Sequence, residues 1–242
     1  MDFHFKKFTL SHDHSTMKIG TDAVLLAALT NPHSAQSLID IGCGCGVIAF
    51  CIAQKMAHTQ PNATIYGIDT DQDSIEEANH NKLNYGLLNP NCFHFKHISL
   101  QDWTQQEQLP TFDLIVSNPP FFNGDLKPTD AARLKSKHRD NQLSFDDLIY
   151  GIDRLLSNNG RFTIILPVTE AIDFQKLAAT KFSLSRKILI RPTAKKPPHR
   201  VVLEYTRLAT PLTQESSLTI RDAENNYTTE YLQLVKPYLS IQ

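Results

Sequence analysis

The chain has 242 residues, 41% of them hydrophobic and 20% charged, ordinary values for a soluble globular protein and enough for one large α/β domain or two small ones. A formal net charge of −1 excludes a uniformly basic or acidic chain. No apolar run approaches the roughly 20 residues of a membrane helix, and residues 1–7 lack the apolar core and cleavage site of a secretory signal, so no membrane partner and a cytoplasmic location are expected. The four cysteines, at positions 43, 45, 51 and 92, suit neither a disulfide framework nor a zinc set, so reduced thiols and no metal are expected.

Residues 1–20 open with short alternating stretches around Phe3, Phe5, Phe8 and Leu10. In Ser11-His12-Asp13-His14-Ser15 the two histidines would share a strand face, but no carboxylate-rich partner set follows, and both read as surface residues. Met17 to Asp22 leads into an apolar helix over 23–29, which Thr21 or Asp22 can cap and Pro32 follows. A short strand at 38–41 runs straight into Gly42-Cys43-Gly44-Cys45-Gly46, and a helix is predicted over 47–58. Strand, glycine turn and helix let a backbone and its N–H groups approach a nucleotide-type ligand closely. The G-x-G-x-G spacing is one residue shorter than the dinucleotide fingerprint and alone specifies no ligand.

A second strand, 63–68, ends in Asp69, where an acid grips a ribose diol. Asp71 is the better cap for the helix at about 72–85, stopped by Gly86, which leaves Asp69 available. A third strand at 92–95 leads to Asp102, which either accepts from an adenine amine or caps a short helix, while Trp103 reads as packing. A fourth strand, 112–117, ends in Asn118-Pro119-Pro120-Phe121. Two prolines stiffen this turn and hold Asn118 extended. An amide side chain, an unpaired carbonyl and an aromatic face are thereby brought together. The Asn118 side-chain oxygen and the Pro119 carbonyl suit the two hydrogens of an exocyclic amine, with Phe121 on the ring, although Asn and Pro also make ordinary turns.

Residues 123–143 form a long polar loop. Ser144 and Asp147 have capping-box spacing and open a helix carrying Leu148, Ile149, Ile152, Leu155 and Leu156, closed by Asn158-Asn159-Gly160. A fifth strand is predicted at 161–166 and a helix at 169–180. Strands at 187–191 and 200–207 make a hairpin with a stiff basic tip, an antiparallel edge on the sheet. A terminal helix is predicted at 228–239, and nothing after 210 carries a signature. Residues 181–207 hold eight Lys/Arg against Glu204, and residues 131–139 hold four with no acid. Two basic clusters flanking one candidate site point to a bound polyanion.

The alternation of strands and helices argues a doubly wound parallel sheet, with ligands beyond the carboxyl ends of its strands. Gly42 to Gly46, Asp69, Asp102 and Asn118 fall at four successive ends. These motifs, with the lead-in from Ser11 to Asp22, resemble the class I S-adenosylmethionine-dependent methyltransferases of exocyclic amines. The chain closely resembles the bacterial family that methylates N6 of an adenine in valine tRNA, from about Phe3 to Arg207.

The resemblance implies a Rossmann-like fold: a mostly parallel seven-stranded sheet, an antiparallel C-terminal hairpin and helices on both faces. It implies S-adenosyl-L-methionine as cofactor and tRNA as substrate, methylated at the adenine 3′ of the anticodon. One domain is expected, with residues 1–36 closing the cofactor site, 37–210 forming the core and 211–242 an extension; a monomer is expected. Gly42, Gly44 and Gly46 would lie against the methionine part, Asp69 would take the ribose hydroxyls and Asp102 the adenine amine. Asp40 and Asn118 would adjoin the cofactor, with Lys18, Gly20 and Thr21 closing over it. Asn118, Pro119, Pro120 and Phe121 would hold the reacting amine. Arg133, Lys135, Lys137, Arg139, Lys195, Lys196 and Arg200 would hold RNA phosphates, which position and do not specify. Cys45 stands where a hydroxyl residue is more usual. Rival readings are a glutamine-N5 protein methyltransferase, a DNA or ribosomal RNA amino-methyltransferase, and a non-enzymatic RNA-binding module with a vestigial cofactor site.

Overall fold

The computed structural model describes residues 2–119, 143–210 and 213–241. It begins with a small antiparallel hairpin, β1 (Asp2–His4) and β2 (Thr9–Ser11), followed by α1 (Thr21–Leu29). Three strand–helix units come next: β3 (Ser37–Ile41) with α2 (Val47–Met56), β4 (Thr64–Asp69) with α3 (Gln72–Asn84), and β5 (Phe93–His97) with the short α4 (Leu100–Thr104). Beyond β6 (Phe112–Ser117) the described chain continues with α5 (Phe145–Leu155), β7 (Leu156–Pro167) and α6 (Val168–Ala178). It closes with β8 (Ser183–Thr193), β9 (Arg200–Thr206), β10 (Gln214–Arg221) and α7 (Thr229–Val235).

Strands β3 to β10 form one sheet in the order β10-β8-β9-β7-β6-β3-β4-β5. Strand β9 is antiparallel to both neighbours, and the other pairings are parallel. This is the doubly wound, Rossmann-like arrangement expected, with eight strands in place of seven. The hairpin of β8 and β9 is not the edge: β9 inserts beside β7, and β10 covers the flank of β8. Residues Gln214 to Ser217 of β10 are exposed and polar, so its sequence lacks the apolar alternation that marks a strand.

Alternation along the buried strands sends side chains to opposite faces. Leu114 and Val116 join the cluster under α1, α2, α3 and α7, whereas Ile115 joins the one under α4, α5 and α6, as does Phe112 across the register shift that precedes Leu114. Burying each such side chain contributes roughly 1.5–3 kcal/mol. Gly151 of α5 permits close approach to α4, since a Cβ there would lie 2.5 Å from Leu100. Lys55 of α2 ties down the end of α1 by donating to the carbonyls of Ala27, Ala28 and Thr30, a favourable place for a cation.

Three local expectations are corrected. Ser144 and Asp147 do form the capping box of α5, but Asn158-Asn159-Gly160 does not close that helix. It lies within β7, where the pairing with β6 shifts register between Phe112 and Leu114. The terminal helix stops at Val235, ahead of Pro237. His12 is buried, and its Nδ1 accepts from the Ile19 N–H at 3.3 Å; a local backbone donor took it inside, a signal that residue type alone does not carry.

Candidate active site

The chain runs from β3 outward through β4 to β5, then returns to place β6 on the other side of β3. The carboxyl ends of β3 and β6 therefore flank a topological switch point, where ligands of such sheets bind. Ile41 is in register with both Ile68 and Ser117, and the Ser117 hydroxyl donates to the Ile41 carbonyl at 2.8 Å. One residue further along, Gly42 and Asn118 leave these two strands beside each other. The N–H groups of Gly42 and Cys43 both donate to the Ile68 carbonyl, at 2.9 and 3.0 Å, which folds the glycine loop back over β4.

The loop glycines differ in function. Gly42, Gly44 and Gly46 have φ of 74°, 52° and 87°, a region other residues occupy only with strain. At Gly46 a Cβ would lie 2.8 Å from the Phe50 ring, so that glycine serves packing at the start of α2. At Gly42 and Gly44 a Cβ would meet nothing within 4 Å, and both line a cleft of about 1080 Å³. The cleft's other walls are the segment from Thr16 to Ala23, the turn from Ile68 to Asp71, the residues Ile98, Leu100 and Gln101, and Asn118 with Leu143, His199 and Arg200.

Asp69 lines this cleft, held by two backbone donors: Gly44 N–H to Oδ2 at 2.8 Å and Asp71 N–H to Oδ1 at 2.9 Å. Each carboxylate oxygen keeps capacity for a further donor. Asp71 binds the Ser74 and Thr16 hydroxyls, both at 2.6 Å, and these bonds hold its carboxyl below the usual range. Gly20, Thr21 and Lys18 line the cleft as well. The Lys18 ammonium, however, is bonded to the carbonyls of His12, Asp13 and Ser15. Thr21 opens α1 without capping it; the N-cap is Gly20.

Besides Gly46, two expected cofactor residues, Asp102 and Asp40, are not on the cleft wall. Asp102 lies in the first turn of α4, exposed, with Oδ2 accepting the Ser99 hydroxyl at 2.7 Å; Ile98, Leu100 and Gln101 face the cleft there instead. The helix Ser99 caps starts right after β5 and holds Asp102 in its first turn. Asp40 is completely buried behind the glycine loop. Its Oδ2 accepts from the Ala49 N–H at 3.3 Å, and its Oδ1 has no partner among the described residues.

Burial, only partly offset by the Ala49 N–H and reinforced by Asp69, pushes the Asp40 carboxyl up to about 8. A carboxyl raised in the folded state keeps its proton after the unfolded chain has released it, so its contribution is full below about pH 4 and declines up to about pH 8. The expected slope is at most about 1.4 kcal/mol per pH unit. Denaturant titrations of wild type and Asp40→Asn at pH 5 and pH 7 check this: the difference should move in the variant's favour as pH rises, and a constant difference contradicts it.

Asn118 is half-buried and Pro119 buried. Neither the Asn118 amide nor the Pro119 carbonyl makes a hydrogen bond among the described residues. Pro120, Phe121, Arg133, Lys135, Lys137 and Arg139 lie outside the described residues.

The second basic cluster is divided by its strands. Lys181 and Arg207 stand at the end of the hairpin remote from the cleft, both paired with Asp153; Arg186 pairs with Glu204, and Lys187 with Glu215. Arg200 sits in the cleft, its Nε 2.7 Å from Asp22 of α1. Lys195 and Lys196 remain exposed at the tip. Sequence reasoning missed Asp22, His199, Ile98, Leu100 and Gln101 as wall residues. The apolar ones look like any core position, and the Asp22–Arg200 pair spans 178 residues of sequence.

Burial raises the thiols of Cys43, Cys45 and Cys51, with Cys45 at about 12, so none offers a nucleophile. Among the described residues no group of three or more His, Cys, Asp or Glu could hold a metal ion, and no helix is long and apolar enough to cross a membrane. The cleft thus combines a Cβ-free strip at Gly42 and Gly44, a fixed carboxylate with spare acceptor capacity at Asp69 and an apolar stretch at Ile98 and Leu100.

A family model described as a methyltransferase domain matches residues 32–224. The tRNA1(Val) (adenine(37)-N6)-methyltransferase of Bacteroides fragilis is 32% identical over 240 residues, 98% of this chain and 96% of its own. That of Phocaeicola vulgatus is 35% identical over 238 residues, again 98% and 96%. A crystal structure of a predicted O-methyltransferase from Agrobacterium tumefaciens shares the fold, with a TM-score of 0.64 at 15% identity over 90% of this chain and 96% of that one. By a domain match over most of its length and relatives aligned over nearly all of it, the chain belongs to the methyltransferase family whose curated members are named tRNA1(Val) (adenine(37)-N6)-methyltransferases.

Proposed function

We propose that this protein transfers a methyl group from S-adenosyl-L-methionine to N6 of the adenine 3′ of the anticodon in valine tRNA. The observation that supports this reading is Asn118 on the wall of the cleft that Gly42 and Gly44 also line, its amide and the following Pro119 carbonyl without hydrogen bonds among the described residues. When bound, the cofactor supplies an electrophilic methyl on a sulfonium and departs as a neutral thioether.

Gly42 and Gly44 give the cofactor's methionine part room against the backbone, and Asp69 accepts from its ribose. Ile98 and Leu100 offer an apolar bed for its adenine, with Gln101 at the edge. The substrate adenine is turned out of its stack. The Asn118 side-chain oxygen and the Pro119 carbonyl take the two amine hydrogens, which disfavours delocalisation of the nitrogen lone pair into the ring. Phe121 stacks on the base. Holding nucleophile and electrophile together supplies much of the rate; as the C–N bond forms and the S–CH3 bond breaks, the amine becomes cationic and acidic enough to release its proton to water without a strong base.

Methyl-labelled cofactor incubated with separate pools of tRNA, ribosomal RNA, DNA and protein tests the assignment. Nucleoside digestion should return N6-methyladenosine from the tRNA pool. Label in protein as methylated glutamine would transfer the chain to the rival protein-modifying class.

Lys195 and Lys196 extend the substrate path along the rim. Replacing both with Ala should reduce the slope of log affinity for tRNA against log salt by about 1.5, the release of about two phosphate-bound counterions. An unaltered slope in filter-binding titrations would remove the hairpin tip from the interface.

A further inference from the structure

Residues 16–22 form a whole wall of the cleft yet belong to no sheet and start only the short α1. What holds them is one face of α3. Glu77 is buried, 5% exposed, and collects five hydrogen bonds from the chain immediately upstream. Its Oε1 accepts from the Ser11 hydroxyl at 2.9 Å and from the N–H groups of Asp13 and His14 at 2.6 and 3.2 Å. Its Oε2 accepts from the Ser15 N–H at 3.0 Å and from the Ser15 hydroxyl.

One turn on, Asn81 accepts from Ser11 N–H at 2.8 Å and donates to the carbonyls of Ser11 and Cys45, at 2.9 and 3.2 Å. It thus ties the same segment to the glycine loop. At the start of α3, Asp71 takes the Thr16 hydroxyl, and its own N–H is held by Asp69. Burial pushes the Glu77 carboxyl up, but the hydroxyls of Ser15 and Ser11 and the N–H groups of His14 and Ser15 outweigh it, leaving a value of about 2. Glu77 itself does not line the cleft, so its five partners are the whole of its role there.

We propose that Glu77 is a positioning residue for methyl transfer: by clamping residues 11–15 it sets the 16–22 wall against which the cofactor binds. The proposal rests on the methyltransferase reading above. It implies that cofactor affinity depends on a carboxylate the cofactor never touches.

The test combines residue-resolved amide exchange, calorimetric affinity for S-adenosylmethionine and steady-state kinetics on wild type, Glu77→Ala, Glu77→Gln and Ser15→Ala. In Glu77→Ala the amides of Asp13, His14 and Ser15 should lose protection while those of the central strands keep theirs, and cofactor Kd and KM should rise at least about tenfold. The rate at saturating cofactor should stay within about threefold. Glu77→Gln keeps one acceptor oxygen, with two lone pairs for the donors now at Oε1, and should restore Asp13 and His14 in part and more than Ser15. Ser15→Ala leaves α3 intact and should move both readouts the same way by less, which covers the case in which the alanine variant at 77 does not fold. Freed amides with wild-type affinity, or unchanged amides throughout, would overturn the positioning role. No heat from wild type itself would instead sink the methyltransferase reading, and that outcome is separate.

Discussion

Asn118→Ala should lower the methyl-transfer rate at saturating substrates by about 10²–10³, the loss typical when one preorganised polar contact to the reacting group is removed. Cofactor affinity should change little, because the glycine loop, Asp69 and the N-terminal wall remain. Asn118 leaves β6 one residue after Ser117, whose hydroxyl is fixed to the Ile41 carbonyl, so the amide is carried on rigid backbone beside the cofactor loop. Its removal takes away an acceptor that matters as the amine nitrogen becomes tetrahedral. Asn118→Asp keeps an oxygen acceptor and should retain more activity than the alanine variant. Single-turnover kinetics with calorimetry separate these effects; a lost cofactor affinity with an intact chemical step would show the amide serving the wrong ligand.

Gly44→Val should weaken S-adenosylmethionine binding by roughly 100-fold, combining a filled cradle with a strained backbone at φ 52°. No protein atom lies within 4 Å of the new Cβ, so the side chain enters the cleft and does not crowd the core. Gly46→Ala provides the contrast. There the added carbon meets the Phe50 ring at 2.8 Å, and the expected loss is in thermal stability. Equal loss of stability in both variants, with affinity tracking stability, would contradict the division of the loop into cradle and packing glycines.

Much of this was legible because the decisive residues sit at strand ends with local signatures. The strand Ser37–Ile41 running into three glycines, Asp69 closing β4 and the rigid turn at Asn118 each follow from short-range chemistry. Asp102 was read both as a cofactor acceptor and as a helix residue, and the serine cap three residues earlier sets it exposed in the first turn of α4, beside the lining residue Gln101. The basic hairpin was legible only as a sum: a two-stranded element has two ends, and a charge count along sequence merges Lys181 and Arg207 at one with Lys195 and Lys196 at the other. Strand β10 was hidden by its polar composition, and Glu77 by looking like any charged residue on a helix face. Long-range polar contacts such as Glu77 with Ser15, or Arg200 with Asp22, have no periodic trace in a sequence.

Methyl transfer in this reading turns on which atoms hold the substrate amine. A crystal structure of the protein with S-adenosylhomocysteine and an anticodon stem-loop of valine tRNA should place the target N6 at about 3 Å from both the Asn118 side-chain oxygen and the Pro119 carbonyl. An N6 bound elsewhere in the cleft, or an Asn118 oxygen already satisfied by a donor from its own chain, would contradict it.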